Sequence, residues 1–515
     1  MQKSARKCDY HVLYNQDCTN LFSVTKEPIT PEHVDAMVDE PACGGADLVL
    51  INPNSQRVNY PSNVHQTFWD GYTPGDADFF GDAPAQGRER RKHIVAQMKR
   101  LADGGCDYLQ RALARCRTNG VGAGISLRMN DHHDTPFGRT HMLSRFFLEH
   151  PEYRITSRFR PDGPYAQVEV LDYSHAEVRQ YFLALIEELA EGYDFDVLEL
   201  DFLRFPAYFP EGEGERYADH MSDFVAAAAQ TLSRRSVPTR LFVRAPAMPQ
   251  QARELGLDLG RWVREGWIQG VSAGGQFSTS WRTDLAGYRD LVGRDCALYA
   301  YADSAAALPD GIESPTSHRS NTSEWVMGTN PDLFRGFAAS AYARGADGVY
   351  AFNFFTAREW KKGDPDFSML GELKDAEALT GQPRTFLLSD AGYARNPISD
   401  PPMQVPTVIR AREARPFEVA CADCNSAESV EVELIVHAPG KPEKTDFRLY
   451  VNEHAAGPAA DIRPLPDADP NAAGHVVSIV FAAAPTSSIQ DGGNAVVFRN
   501  DGPSVTVVAL RIHAR

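Results

Sequence analysis

The sequence predicts an α/β protein: a (β/α)8 TIM barrel over residues 1–380, followed by a C-terminal antiparallel β-sandwich over residues 381–515. Three observations predict it. Eight short runs of β-branched, aromatic and small apolar residues recur over about 370 residues, with helical patterns between them. The connections after the second, third and seventh runs are long, as loops on the catalytic face of a barrel are. Past about residue 380 the helical patterns stop, and short alternating runs between Gly-, Pro- and Asp-rich turns replace them.

The runs are His11–Tyr14, Ala46–Ile51, Gly120–Leu127, Asp196–Asp201, Arg240–Arg244, Ile268–Ser272, Ala297–Tyr301 and Gly348–Asn353. Strands alternating with helices imply βαβ units and a parallel sheet. Between the third and fourth runs, Val178, Tyr181, Phe182, Leu185 and Leu189 recur at three- and four-residue steps, which predicts a helix over Glu177–Ala190. Asp332–Arg344 repeats the pattern before the eighth run. The long connections are Asn52–Arg91, Asn130–Asp172 and Asp303–Asn330. Loops of this length in a barrel serve as lids or binding elements. The C-terminal runs are Thr407–Ala411, Ser429–His437, Asp446–Val451, His475–Phe481, Ala495–Arg499 and Ser504–His513. They predict a sandwich of roughly 130 residues that packs on the barrel or binds glycan separately.

A chain of 515 residues exceeds a single core, so two or three domains are expected. Apolar residues at 43% and charged residues at 23% match an ordinary globular protein. The net charge of −17 argues against non-specific binding to nucleic acid or anionic membranes, which needs basic patches. No apolar run approaches the roughly 20 residues that span a bilayer. Met1–Asp9 is polar and has no apolar h-region, so the expectation is a cytoplasmic protein, or a secreted or periplasmic one if a signal has been trimmed. Eight cysteines in this length do not form a disulfide framework. Cys421 and Cys424 have CxxC spacing without a second pair or a His cluster nearby, which favours ordinary thiols or one local disulfide over a metal or redox centre. No cofactor or resident metal is expected, and no feature speaks to oligomeric state.

Barrel chemistry sits at the C-terminal ends of strands. In the fourth run the period of two puts Val197, Glu199 and Asp201 on one face. Two acids on one face of a central strand are expensive to bury unless paired or used. Arg204 follows closely enough to pair with an acid or a substrate, and a structural Glu–Arg or Asp–Arg ion pair is the bland alternative. The third run ends in Arg128-Met129-Asn130-Asp131-His132-His133-Asp134, a dense series of hydrogen-bonding and titratable groups. Asp131 and Asp201 at adjacent strand mouths would supply the two carboxylates a glycosidase needs. A metal site over Asp131–Asp134 and a polar loop capping the next helix are the competing readings; consecutive residues point apart, which disfavours a shared ion. Other strand ends add Asn15, Asp17, Asn52, Asn54, Arg244, Gln276, Asp303 and Asn353, groups suited to hydroxyl-rich ligands. Loop aromatics Phe68, Trp69, Tyr72, Trp281, Trp325 and Trp360 offer flat surfaces for sugar rings or belong to the core.

The stretches Leu171-Asp172, Glu177-Val178-Arg179, and Glu191 through Asp201 to Pro206 resemble the family 10-like glycoside hydrolases. These are TIM-barrel glycosidase-like proteins distantly related to the α-galactosidase and α-amylase barrels. Leu259 to Ile268 is similar to the family's run into strand six. The resemblance covers residues 120–360. It implies that Asp201 matches the strand-four acid, where the related barrels keep their nucleophile. The chain departs from the pattern at Val197, where the family has Gly, and at Phe202, where a second acid is usual. Ser272-Ala273-Gly274-Gly275 lacks the polar groups of the family's strand-six end, so the partner acid does not carry over. Asp131, Glu199 and Asp303 are the candidates for it.

The expected function is therefore hydrolysis of a glycosidic bond in an oligo- or polysaccharide by a carboxylate pair. Asp201 is expected as nucleophile or base, and Asp131, with Asp303 second, as general acid. Asp131 would hold its proton near neutral pH if Asp201 raises its pKa. Glu199 and Arg204 would tune the charge. Arg128, Asn130, His132, His133, Asn15, Asn52, Arg244, Tyr301, Trp69, Trp325 and Asn353 are the expected substrate contacts. The alternatives are a non-catalytic carbohydrate-binding protein on a degenerate barrel and a metal-dependent hydrolase or lyase using Asp131–Asp134.

Overall fold

The computed structural model of the chain describes residues 10–76, 78–158, 166–276, 279–303, 327–359, 363–389, 396, 398–464, 475–483 and 486–515. Eight described parallel strands close into a barrel: β1 (Val12–Gln16), β2 (Leu48–Ile51), β3 (Gly122–Arg128), β4 (Val197–Asp201), β5 (Arg240–Ala245), β6 (Gly270–Ala273), β7 (Ala297–Ala302) and β8 (Gly348–Phe352). Each strand pairs with its sequence neighbours, and β8 pairs with β1 to shut the ring. Every boundary falls within two residues of its predicted run.

Alternation sorts the side chains into two layers. Leu13, Leu48, Leu50, Val197, Phe242, Tyr299, Tyr301, Tyr350 and Phe352 form the apolar cluster inside the barrel. Their neighbours Val12, Tyr14, Val49, Ile51, Leu198 and Leu200 belong to the core under the helices. The lumen fills by pairing large with small: a Cβ on Gly270 would stand 2.7 Å from Phe242 Cδ1 on the next strand. Helix Ala176–Gly192 packs beside helix Ala218–Ser233 and buries Val178, Phe182, Leu185, Ile186 and Leu189. Each such side chain contributes about 1.5–3 kcal/mol of transfer free energy.

The connection after β3 holds structure that its polar composition hid. It contains the short helix Arg145–Glu149 and an antiparallel hairpin, Arg154–Arg158 with Gln167–Leu171. Among the described residues no helix is long and apolar enough to cross a membrane.

After the barrel come two antiparallel sheets. One orders Arg384–Leu388, Val505–Ala514, Val430–Ala438, His475–Ala483 and Asp461–Pro464, with Thr407–Ile409 also on Val505–Ala514. The other orders Glu413–Cys421, Gly492–Asn500, Phe447–Val451 and His454–Pro458. Phe481 of the first sheet and Phe498 of the second meet at 6.4 Å between ring centroids. Four of these strands, Arg384–Leu388, Glu413–Cys421, His454–Pro458 and Asp461–Pro464, were not predicted. Glu413–Cys421 carries Pro416, which cannot donate to a ladder, and it lies at a sheet edge where the loss is tolerated. Cys421 and Cys424 are buried free thiols, and burial together with the contact between them pushes the Cys421 thiol well above its ordinary range. The sheets join the barrel through Pro331–Ala343, which Asn330 caps by accepting from Leu333 N at 3.0 Å. Gly336 of that helix lets the Thr385 carbonyl approach where a Cβ would collide.

Candidate active site

β4 carries two acids into the lumen. Glu199 is opposite Ser126 on β3, and Asp201, one layer nearer the mouth, is opposite Arg128 on β3 and Arg244 on β5. Glu199 is fully buried, and Asp201 is 1% exposed. Asp201 Oδ1 accepts from the amides of Leu203 and Arg204, both at 3.0 Å, and Arg244 Nη1 donates to Oδ2 at 3.1 Å. Glu199 Oε1 accepts from Ser126 Oγ and Tyr350 OH, each at 2.7 Å. Burial, reinforced by Asp201 and opposed by Arg244 and these two hydroxyls, raises the Glu199 carboxyl to about 7.

A second group gathers where β1 and β3 end. Arg128 donates to Asp17 and lies 3.5 Å from Asp131 Oδ2, while Arg204 Nη2 approaches Asp17 Oδ2 at 3.7 Å. His133 stands over Asp131, with Nδ1 2.9 Å from Oδ1 and its backbone N–H donating to the same oxygen at 2.8 Å. Burial opposes ionisation of both acids. Arg128, then Arg204, overcome it at Asp17 and hold that carboxyl at about 2. His133 and Arg128 do the same at Asp131, far below the carboxylate range. Asp131 is therefore not held protonated near neutral pH, which corrects the expectation of a general acid there. The physical reason is the partner: Asp131 faces His133 and Arg128, while Asp201 faces Arg244, so the two acids belong to separate ion-pair groups.

The third group runs across the mouth from Asp201. The Arg244 guanidinium lies 4.6 Å from the Tyr301 ring centroid and 4.4 Å from that of Phe352. Tyr301 OH donates to Asp303 Oδ2 at 2.5 Å, just beyond β7. Asp201, Arg244, Tyr301 and Asp303 thus form one linked row. Asn353 follows β8 in the left-handed region, φ 51°, which Asn tolerates, and is 9% exposed. Gln276 beyond β6 donates to the Arg204 carbonyl and accepts from Asn396 at 3.1 Å.

Several expected substrate contacts are engaged with protein groups. Asn130 spends both amide hydrogens on the carbonyls of Leu171 and Ala207 and accepts from Leu171 N, so it ties loops together. Asn52 donates to the Ser126 carbonyl at 2.7 Å and to Asn54 Oδ1. Asn15 donates to Tyr350 OH at 2.8 Å inside the lumen. Trp69 is half-buried against the Phe80–Val95 cluster, and Trp281 is core against Phe337. His132 is buried with its ring 3.4 Å from that of Phe205, and burial holds it well below the ordinary histidine range. His133, at 35% side-chain exposure, is the more open of the pair. Trp325 and Trp360 lie outside the described residues. Asp134 turns away from Asp131 to pair with Arg91 Nη2 at 2.8 Å, and among the described residues no three His, Cys, Asp or Glu side chains converge on a metal-binding position.

Asp17 is among the strand-end groups that the sequence offers for a ligand, whereas Ser126 and Tyr350 are not. Tyr350 was nonetheless visible, because the alternation that turns Phe352 inward turns Tyr350 inward with it.

No protein-family model matches the chain, and no curated protein matches it. Solved structures do. An α-L-fucosidase isoenzyme 2 from Paenibacillus thiaminolyticus aligns at 12% identity and TM-score 0.42, over 74% of this chain and 51% of that one. This chain thus spans about half the length of that fucosidase. A noncanonic maltogenic α-amylase from Thermotoga neapolitana aligns at 9% identity and TM-score 0.36, over 97% of this chain and 98% of that one. A GH36 α-galactosidase from Geobacillus stearothermophilus aligns at 12% identity and TM-score 0.37, over 98% of this chain and 56% of that one.

Proposed function

We propose that the protein is a glycoside hydrolase that cleaves a glycosidic bond of an oligo- or polysaccharide at the barrel mouth. The observation that carries this reading is the linked row Asp201–Arg244–Tyr301–Asp303, which sets one acid on either side of a buried cation. Two carboxylates across a cleft are the minimum for acid/base cleavage of an acetal. Asp201 acts as nucleophile or base. Asp303 takes the place of proton donor, because Asp131 is held as a carboxylate by His133 and Arg128. Arg128, Arg204, His133 and Asn353 contact substrate hydroxyls. Residues 1–380 form the catalytic barrel, and residues 381–515 form an accessory sandwich.

The test is turnover by Asp201→Asn and Asp303→Asn on an oligosaccharide panel and on aryl glycosides with good leaving groups. Asp201→Asn is expected to lose turnover on both. Asp303→Asn is expected to lose about 10²–10⁴-fold on oligosaccharides and far less on activated aryl glycosides, which need no protonation of the leaving group. Full turnover by Asp201→Asn ends this reading.

One observation favours a second reading, a carbohydrate-binding protein without catalysis. Both Asp201 oxygens are already engaged, and β6 ends in Ser272 and Ala273 without a carboxylate. Glycan binding with no turnover on any substrate would select it.

A further inference from the structure

Two buried groups beneath the mouth lack hydrogen-bond partners among the described residues: Glu199 Oε2 accepts no bond, and Arg244 Nε donates none. The residues are 0% and 1% exposed. Glu199 and Asp201 follow each other on the inward face of β4, about 6.6 Å apart along the strand. Arg244 is the register partner of Asp201 and gives it Nη1 at 3.1 Å. A buried carboxylate with an empty acceptor and a buried cation with an empty donor, one layer apart, attract each other strongly. Arginine keeps its charge, so this attraction is present when Glu199 is ionised and absent when it is protonated.

The surroundings agree. Ser126 and Tyr350 reach Glu199 Oε1 from β3 and β8, and Asn15 on β1 backs the Tyr350 hydroxyl. Ser272 on β6 and Tyr299 and Tyr301 on β7 are buried neutral groups, and Tyr301 is engaged with Asp303. The charged groups within a layer are Asp201, Arg244 and Arg128, and Arg128 is taken by Asp17 and Asp131. Arg244 is thus the cation left for an ionised Glu199.

We propose that Glu199 is a positioning residue that works by gaining and losing a proton: protonated, it leaves Arg244 wholly to Asp201; ionised, it draws the Arg244 Nε–H and loosens the Asp201–Arg244 pair. The proton leaves to solvent, and no bond between heavy atoms changes. The raised Glu199 carboxyl, about 7, puts the exchange in the neutral range. The effect on turnover rests on the role proposed for Asp201; the switch itself does not.

The test uses the full chain. Infrared difference spectra with ¹³C-labelled glutamate should show a buried protonated carboxyl that disappears near pH 7 and is absent in Glu199→Gln. The Arg244 Nε–H resonance, assigned by its loss in Arg244→Lys, should move with the same midpoint in the wild type and stay still in Glu199→Gln. If Glu199→Gln does not fold, the two wild-type titrations decide. Glu199 ionised throughout, or an Arg244 resonance that ignores its titration, overturns the proposal. Neither readout needs a glycan, so failure of the hydrolase reading leaves this result standing.

Discussion

Arg244 Nη1 and Asp201 Oδ2 meet at 3.1 Å across the β4–β5 register, with side-chain exposures of 1% and 2%. The pair couples stability to the site, because removing either partner leaves the other charge buried and unpaired. Arg244→Met is expected to cost about 3–5 kcal/mol, and the double variant Arg244→Met/Asp201→Leu much less. Urea unfolding of the three chains checks this. Equal losses in the single and double variants would mean that the charge pairing is not the source.

Buried neutral histidines should make the protein lose stability in mild acid. Burial lowers His65 from 6.5 to about 4, and His141 to about 3. A histidine lowered in the folded state binds its proton first in the unfolded state. Its stabilisation is therefore complete above 6.5 and is lost as pH falls toward the folded value. For His65 alone the loss is roughly 3 kcal/mol. Asp17 has the same sign in a lower window: its contribution is present above 3.8 and is lost as pH falls through about 2. The raised Glu199 carboxyl takes up its proton first in the folded state and adds stability as pH falls from about 7, the opposite sign, so the histidine contribution is read in Glu199→Gln: its unfolding midpoints should fall below 6.5, and adding His65→Gln should flatten the slope. A level profile down to 4 in Glu199→Gln would refute the histidine contribution.

The barrel's large-to-small pairing predicts a steric lesion. Gly270→Ala places a methyl 2.7 Å from Phe242 Cδ1 and should cost about 1–3 kcal/mol. Adding Phe242→Leu should recover part of that loss, as read from denaturant midpoints. A single variant as stable as the wild type would show that the lumen yields there.

Asp131 is predicted to be a structural anion. Asp131→Asn keeps an oxygen for the His133 amide, which donates at 2.8 Å, and should lower turnover less than about tenfold, against 10²–10⁴ for Asp303→Asn. A loss in Asp131→Asn that activated aryl glycosides rescue would return the acid role to Asp131.

The eight barrel strands were legible because each is short, apolar and bounded by turns, and because alternation states which residues face inward. Val197, Glu199 and Asp201 followed from that rule alone. The hairpin Arg154–Arg158 with Gln167–Leu171 was hidden because six of its ten strand residues are polar and it pairs only with itself. Glu413–Cys421 was masked by Pro416, a residue that tells against a strand except at an edge.

Which groups share the mouth, and in what charge state, came from the closed barrel. Residue types at strand ends announce a polar site, and Asp201, Arg128, Arg204 and Asp303 all stand there. Local sequence does not say that Asp131 is captured by His133 while Asp201 goes to Arg244, nor that Asn130 is consumed by the carbonyls of Leu171 and Ala207. Those pairings join residues up to 77 positions apart, and they depend on register, layer height and the desolvation that closure imposes. Periodicity along the chain specifies strands and faces, whereas the energy of a buried charge depends on the groups that the fold brings against it.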